Sequence, residues 1–196
     1  MSGTNPVSML KSSYAKTAIT FLVIVIGVVA FWFGVRAVLG TEYPLLAVAS
    51  GSMEPTLNTG DIIIVRGGIN PCDIKAGWPP DGTIIVFRKP GEPETLIVHR
   101  TVRKESENGA WVFRTKGDRS WYITGSKDMT PDPWTVTEKD IVGVVVGQIP
   151  WLGHIPLFVR TQNGIRIVTF LFVILIFAEV IHLSRKMRKV EPSLYK

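Results

Sequence analysis

The sequence predicts a mainly β fold, folded antiparallel sheets or a partly open barrel, anchored by two transmembrane helices. Three observations carry this. Short runs rich in aliphatic and β-branched residues recur at 45–49, 62–65, 83–87, 96–101, 111–115 and 141–147, the signature of strands. Turn clusters such as Asn58-Thr59-Gly60-Asp61, Pro79-Pro80-Asp81-Gly82 and Glu107-Asn108-Gly109 separate them, with residues that favour tight reversals. No ten-residue stretch between these runs repeats its apolar residues at helical spacing, and two long apolar runs flank the region.

The elements follow in order along the chain. Residues 17–35 are nineteen residues without a charge, between Lys16 and Arg36. Residues 167–184, between Arg166 and Arg185, are interrupted only by Glu179. At ~1.5 Å per residue each covers ~27–29 Å, close to the ~30 Å of a hydrocarbon core. The first run exceeds the roughly 7–15 residues of a signal-peptide apolar region and has no small-x-small exit near its end, so it is expected to stay as an anchor. For the second, a helix buried in a soluble core is the alternative. The expected division is a cytoplasmic tail at 1–16, a first transmembrane helix at 17–39, and an extracytoplasmic β domain at 40–165. A second transmembrane helix at 166–184 and a basic cytoplasmic tail at 185–196 complete it. Orientation rests on Lys11 and Lys16 in the first tail and on Arg185, Lys186, Arg188, Lys189 and Lys196 in the second, since basic flanks stay in the cytoplasm.

The net charge of +6 divides unevenly. Residues 41–165 hold 13 basic and 14 acidic residues, and the rest of the chain holds 9 and 2. The excess of positive charge is therefore a topology signal, and no basic stripe with interleaved aromatics points to nucleic acid. Cys72 is the only cysteine. It excludes an intrachain disulfide and a thiolate metal site, and reads as a loop thiol beside Pro71. Neither a metal nor a cofactor is expected.

Ser52 lies in the small-residue turn Ser50-Gly51-Ser52-Met53-Glu54-Pro55, and His99 lies 47 residues on, in the apolar run Leu96-Ile97-Val98-His99. A serine hydroxyl needs a base to take its proton, and the base needs a third group to fix its tautomer. Taken singly, a strand histidine is most often structural and a turn serine merely a turn residue. His154 adjoins the second span and His182 falls at its inner end. Residues 119–138 form a long irregular stretch that contains further acids, and loops of this length are usually functional or mobile.

In order, Ser50-Gly51-Ser52-Met53-Glu54-Pro55, Gly60-Asp61-Ile62, Gly82-Thr83-Ile84-Ile85-Val86-Phe87-Arg88, Val98-His99-Arg100 and Thr115-Lys116-Gly117-Asp118 resemble the motifs of type I signal peptidases. The match is to the archaeal and endoplasmic-reticulum branch, because the usual bacterial branch has lysine where His99 stands. It covers about residues 45–150. The resemblance implies a Ser-His-Asp endopeptidase that removes signal peptides from secretory preproteins after small-x-small sites. Ser52 is then the nucleophile and His99 the general base, with the Ser52 backbone N–H and the Ser50 hydroxyl as oxyanion donors; one such donor is typically worth ~2.7–4 kcal/mol. The family pattern has one aspartate in Lys-Gly-Asp, here Asp118, and a second about six residues later. Thr124 stands at that later place, and Ser120 stands where an asparagine is usual. Reading the intervening residues as an insertion makes Asp132 the triad acid, with Asp118 and Asp128 as alternatives. Asp118 is otherwise expected to hold the loop or the network next to the histidine, and Lys116 belongs to the Lys-Gly-Asp turn.

A substrate held as an added strand would send alternate side chains into shallow pockets, for which Met53, Leu57, Ile97 and Val98 are the lining candidates. Trp78-Pro79-Pro80 and Trp151-Leu152 are candidates for an apolar skirt at a bilayer surface. The expected partners are secretory preproteins, the lipid bilayer and the export machinery, and the expected location is the cytoplasmic membrane in preference to the endoplasmic reticulum. Two other readings stand beside this one: a membrane-tethered binding module without catalysis, and a processing peptidase with few substrates.

Overall fold

The computed structural model describes residues 6–107, 109–124 and 130–190. In chain order its elements begin with α1 (Pro6–Leu39), β1 (Leu45–Ala47), β2 (Ile62–Arg66), β3 (Ile84–Lys89), β4 (Glu92–Glu107) and β5 (Ala110–Lys116). They continue with α2 (Asp118–Thr124), β6 (Val136–Thr137), β7 (Ile141–Ile149), α3 (His154–Arg160) and α4 (Gln162–Val190). Two compact units result: one from the start of α1 to Phe33 together with Phe158 onward, and one spanning Gly34–Leu157.

The first unit carries two apolar stretches long enough to cross a membrane, Lys16–Leu39, whose last residues extend into the second unit, and Gln162–His182. None of the first apolar window and 6% of the second is buried by protein. Phe21, Phe31, Phe170 and Leu175 are all exposed. A helix in a soluble core would hide such side chains, and here they are uncovered by the rest of the described chain.

The second unit is one seven-stranded antiparallel sheet in the order β1-β2-β7-β3-β4-β5-β6. By its internal contacts this unit spans Gly34–Leu157. The last turn of α1 belongs with it: Gly40, at φ 60°, ends the helix in the left-handed conformation glycine tolerates, and the Gly67 N–H donates to the Leu39 carbonyl at 2.8 Å.

The central strands are apolar on successive residues because both faces are covered. Val86 of β3 packs into a core of Val48, Met53, Leu57, Ile63 and Val65. Its neighbours Ile85 and Phe87 enter a second core with Ile74, Phe113, Val136 and Val144. Register shifts at Ile64/Val65, Val86/Phe87 and Thr101/Arg103 bend the sheet as bulges do.

Two features differ from the sequence-based expectation. β4 is sixteen residues long, reaching well beyond 96–101. Its outer half, Arg103-Lys104-Glu105-Ser106-Glu107, lacks apolar alternation and is held by pairing with β5; Lys104 adds a cation–π contact, with Nζ 4.2 Å from the centre of the Trp111 ring. Helix α2 begins the stretch at 119–138 read as irregular, because at seven residues it is too short to reveal a 3.6 period.

Candidate active site

Between β1 and β2 the chain tightens into a single 3-10 turn, Gly51–Met53. Ser50 enters it in an extended conformation, and the Glu54 N–H closes it on the Gly51 carbonyl at 3.2 Å. Met53, only 1% exposed, drives the turn into the first core, which leaves Ser52 at the rim. The Ser50 hydroxyl lies 3.4 Å from the Ser52 hydroxyl.

His99 sits on β4 opposite Ile85 of β3. Its Nε2 is 3.2 Å from Ser52 Oγ and its Nδ1 is 2.7 Å from Asp132 Oδ2. An ionised carboxylate only accepts, so Nδ1 carries the proton and the lone pair of Nε2 faces the serine. The imidazole and the carboxylate are 12% and 13% exposed, which shields the pair from bulk water while leaving an approach to Ser52. This arrangement can take a proton from the Ser52 hydroxyl and hold the resulting imidazolium.

Asp132 is presented by the stretch between α2 and β6. Its N–H donates to the Thr115 carbonyl at 2.8 Å, and the Thr115 hydroxyl donates to Asp132 Oδ2 at 2.8 Å. Trp134 donates from Nε1 to Thr115 Oγ1 at 3.2 Å, and its ring is stacked on His99 at 6.4 Å. Neither Thr115 nor Trp134 stands out as a site residue in the sequence. Thr115 shows only as the first residue of Thr115-Lys116-Gly117-Asp118, and Trp134 only by standing two residues after Asp132.

Asp118 is near in sequence but engaged elsewhere. Its carboxylate accepts from Arg100 Nε at 2.8 Å and Nη2 at 2.6 Å, and from the Thr56 hydroxyl at 2.6 Å. The Arg100 and Asp118 side chains are 5% and 0% exposed. Arg100 Nη1 also donates to the Pro80 and Gly82 carbonyls. The group thus joins the segment that follows Ser52, β4 and the start of α2. Asp128 lies outside the described residues.

Gly117 closes the floor. A Cβ there would stand 2.6 Å from the Ser52 carbonyl oxygen and 3.1 Å from His99 Nε2, so any side chain must push the serine and histidine apart. Gly117→Ala is expected to lower kcat by about 100-fold, the effect of roughly 1 Å of misplacement, while the melting temperature shows the chain still folded. An unchanged kcat would contradict this geometry.

The pocket candidates fare unequally. Met53 and Leu57, 1% and 2% exposed, are core residues; they can shape a substrate pocket only from beneath and do not line an open surface. Ile97 and Val98 are half-buried and pack against opposite cores, because adjacent strand residues point to opposite faces; they cannot share one wall. Of the expected skirt, Trp151 and Leu152 are exposed, whereas Trp78 is half-buried and stacked on Trp121 at 5.3 Å.

Residues 13–103 match the family described as Signal peptidase, peptidase S26. The chain is similar to the signal peptidase complex catalytic subunit SEC11C of Homo sapiens, with 31% identity over 153 residues, 78% of this chain and 76% of that protein. Similarity to the SEC11 subunit of Yarrowia lipolytica is 30% over 133 residues, covering 68% and 73%. For the SEC11 subunit of Eremothecium gossypii it is 32% over 134 residues, covering 68% and 75%.

Proposed function

The chain belongs to the signal peptidase S26 family, and we propose that it is a membrane-bound serine endopeptidase that cuts amino-terminal signal peptides from exported preproteins after small-x-small sites. The observation that carries this reading is the contact chain Ser52–His99–Asp132, 3.2 Å and 2.7 Å long, in a member of a peptidase family.

In the proposed mechanism Ser52 Oγ attacks the carbonyl carbon of the scissile bond as its proton passes to His99 Nε2. Asp132 keeps Nδ1 protonated and stabilises the imidazolium. The Ser52 N–H and the Ser50 hydroxyl receive the developing oxyanion. His99 then gives its proton to the leaving amine, the mature protein departs, and a water activated by the same imidazole releases the signal peptide from Ser52.

The bilayer is part of the proposal. The uncovered apolar stretches Lys16–Leu39 and Gln162–His182 support two spans with both basic tails in the cytoplasm. The 40–165 domain then lies outside the cytoplasmic membrane, within reach of preproteins leaving the export machinery. The SEC11 proteins are named as catalytic subunits of a signal peptidase complex.

The test uses the full chain in lipid vesicles with a preprotein whose signal peptide ends in Ala-x-Ala. Cleavage at that bond is expected, with loss of cleavage when the last alanine becomes tryptophan. Equal cutting of both substrates, or cutting elsewhere in the preprotein, would remove the small-x-small assignment. A global backlog of uncut precursors on depletion fits a general enzyme, and a few accumulating clients fit the narrow-substrate alternative.

A further inference from the structure

His99, Asp132, Thr115 and Trp134 form a closed ring of contacts. His99 Nδ1 meets Asp132 Oδ2 at 2.7 Å, and Thr115 Oγ1 donates to that same oxygen at 2.8 Å. Trp134 Nε1 donates to Thr115 Oγ1 at 3.2 Å, and the indole returns to the imidazole, stacked at 6.4 Å with 27° between the planes. Thr115 is fully buried, and Trp134 packs at the edge of the second core.

We propose that Thr115 and Trp134 are positioning residues that together fix the plane of the His99 ring and the placement of the Asp132 carboxylate. The need follows from torsional freedom. Rotation about the last bond of a histidine side chain is broad, and one hydrogen bond at Nδ1 restrains the tilt of the ring only loosely, since such bonds tolerate a range of angles. The stacked indole supplies the second restraint. Asp132 has a matching problem, since it lies outside the strands, in the stretch between α2 and β6. Thr115 holds it twice, through main-chain carbonyl and hydroxyl. A donating Trp134 also orders the Thr115 hydroxyl: with one acceptor site filled by the indole N–H, its own proton is directed at the carboxylate. Arg114 secures the other end of the stretch by donating from Nη1 to the Trp134 carbonyl at 3.3 Å. An acid on irregular backbone thereby acquires the precision of one on a strand.

This inference rests on the serine-protease reading, and the controls separate the two. Full-length chain in vesicles is assayed against the Ala-x-Ala preprotein as wild type, Thr115→Val, Thr115→Ser, Trp134→Phe, Trp134→Leu and Ser52→Ala. Thr115→Val keeps the volume and loses the hydroxyl; kcat should fall about 10- to 100-fold with KM within about twofold. Thr115→Ser keeps the hydroxyl and should stay within about threefold of wild type. Trp134→Phe keeps a stacked ring without the N–H and should lie between wild type and Trp134→Leu. The double variant Thr115→Val/Trp134→Phe should be no slower than Thr115→Val, because both break one relay.

Unchanged kcat in Thr115→Val, equal losses in Thr115→Ser and Thr115→Val, or additive losses in the double variant would each overturn the proposal. Should Thr115→Val fail to fold by thermal melting, Trp134→Phe against Trp134→Leu decides it, and equal rates in those two would overturn it. Activity surviving in Ser52→Ala would instead remove the protease reading on which this inference stands.

Discussion

Ser52→Ala is expected to lower kcat on the order of 10⁶-fold, and Asp132→Asn about 10⁴-fold, with neither changing the melting temperature appreciably. The first figure is the general consequence of removing a triad nucleophile, and the second that of turning the orienting carboxylate into an amide. The physical reason for the second is tautomeric. The new amide could present its NH₂ to Nδ1, which would move the ring proton to Nε2 and leave no lone pair for the Ser52 proton. The Thr115 hydroxyl meets the same Oδ2 as His99, so an NH₂ placed there would donate to Thr115 Oγ1 instead of accepting from it, while the main-chain bond from the residue 132 N–H to the Thr115 carbonyl is kept. Stability is therefore preserved while chemistry is lost. His99→Ala should match Ser52→Ala, and the double variant should be no slower than either, since the two act as one unit. Cleavage of the preprotein by reconstituted variants, beside their thermal melts, is the measurement. Undiminished kcat in Asp132→Asn would transfer the acid's role elsewhere, and Asp128 would be the next residue to replace.

Asp118→Ala is expected to do the reverse, destabilising the chain by about 3–5 kcal/mol, the usual consequence of leaving one partner of a buried ion pair alone. The Arg100 side chain is 5% exposed, so its charge would be left shielded from bulk water without its partner. Two of its guanidinium bonds end on Asp118, and a third group on that carboxylate is Thr56, four residues after Ser52. Denaturant titration should show the loss, and kcat measured on the folded fraction at low temperature should stay within about tenfold of wild type. A stable Asp118→Ala protein without activity would instead give Asp118 a part in the chemistry. The pair of aspartates thus separates in two assays: one variant folds and does not cut, the other cuts while folded and unfolds readily.

These contrasts show how far residues can be read in advance. The strands at 62–65, 83–87 and 111–115 are legible because their apolar runs are local, and the structure forms β2, β3 and β5 over them. The outer half of β4 is not, since its polar residues take strand conformation only by pairing with β5. Met53 and Leu57 read as pocket walls for being near Ser52 in sequence, yet the 3-10 turn points Met53 into the first core, where Leu57 also lies. Sequence distance carries no information on which way a turn faces.

Short contiguous segments were enough to reveal the family, the serine and histidine to examine, and the two long apolar runs, because each of these is a local property of the chain. The company each acid keeps is a matter of the folded sheet. Asp118 adjoins Gly117, where a Cβ would stand 2.6 Å from the Ser52 carbonyl oxygen, but its carboxylate is turned onto Arg100. Asp132, 33 residues from His99, reaches the imidazole because backbone pairing sets it beside Thr115. Which carboxylate meets the histidine depends on where an irregular stretch returns to the sheet. That return is fixed by contacts between distant strands, and no local period in the chain records it.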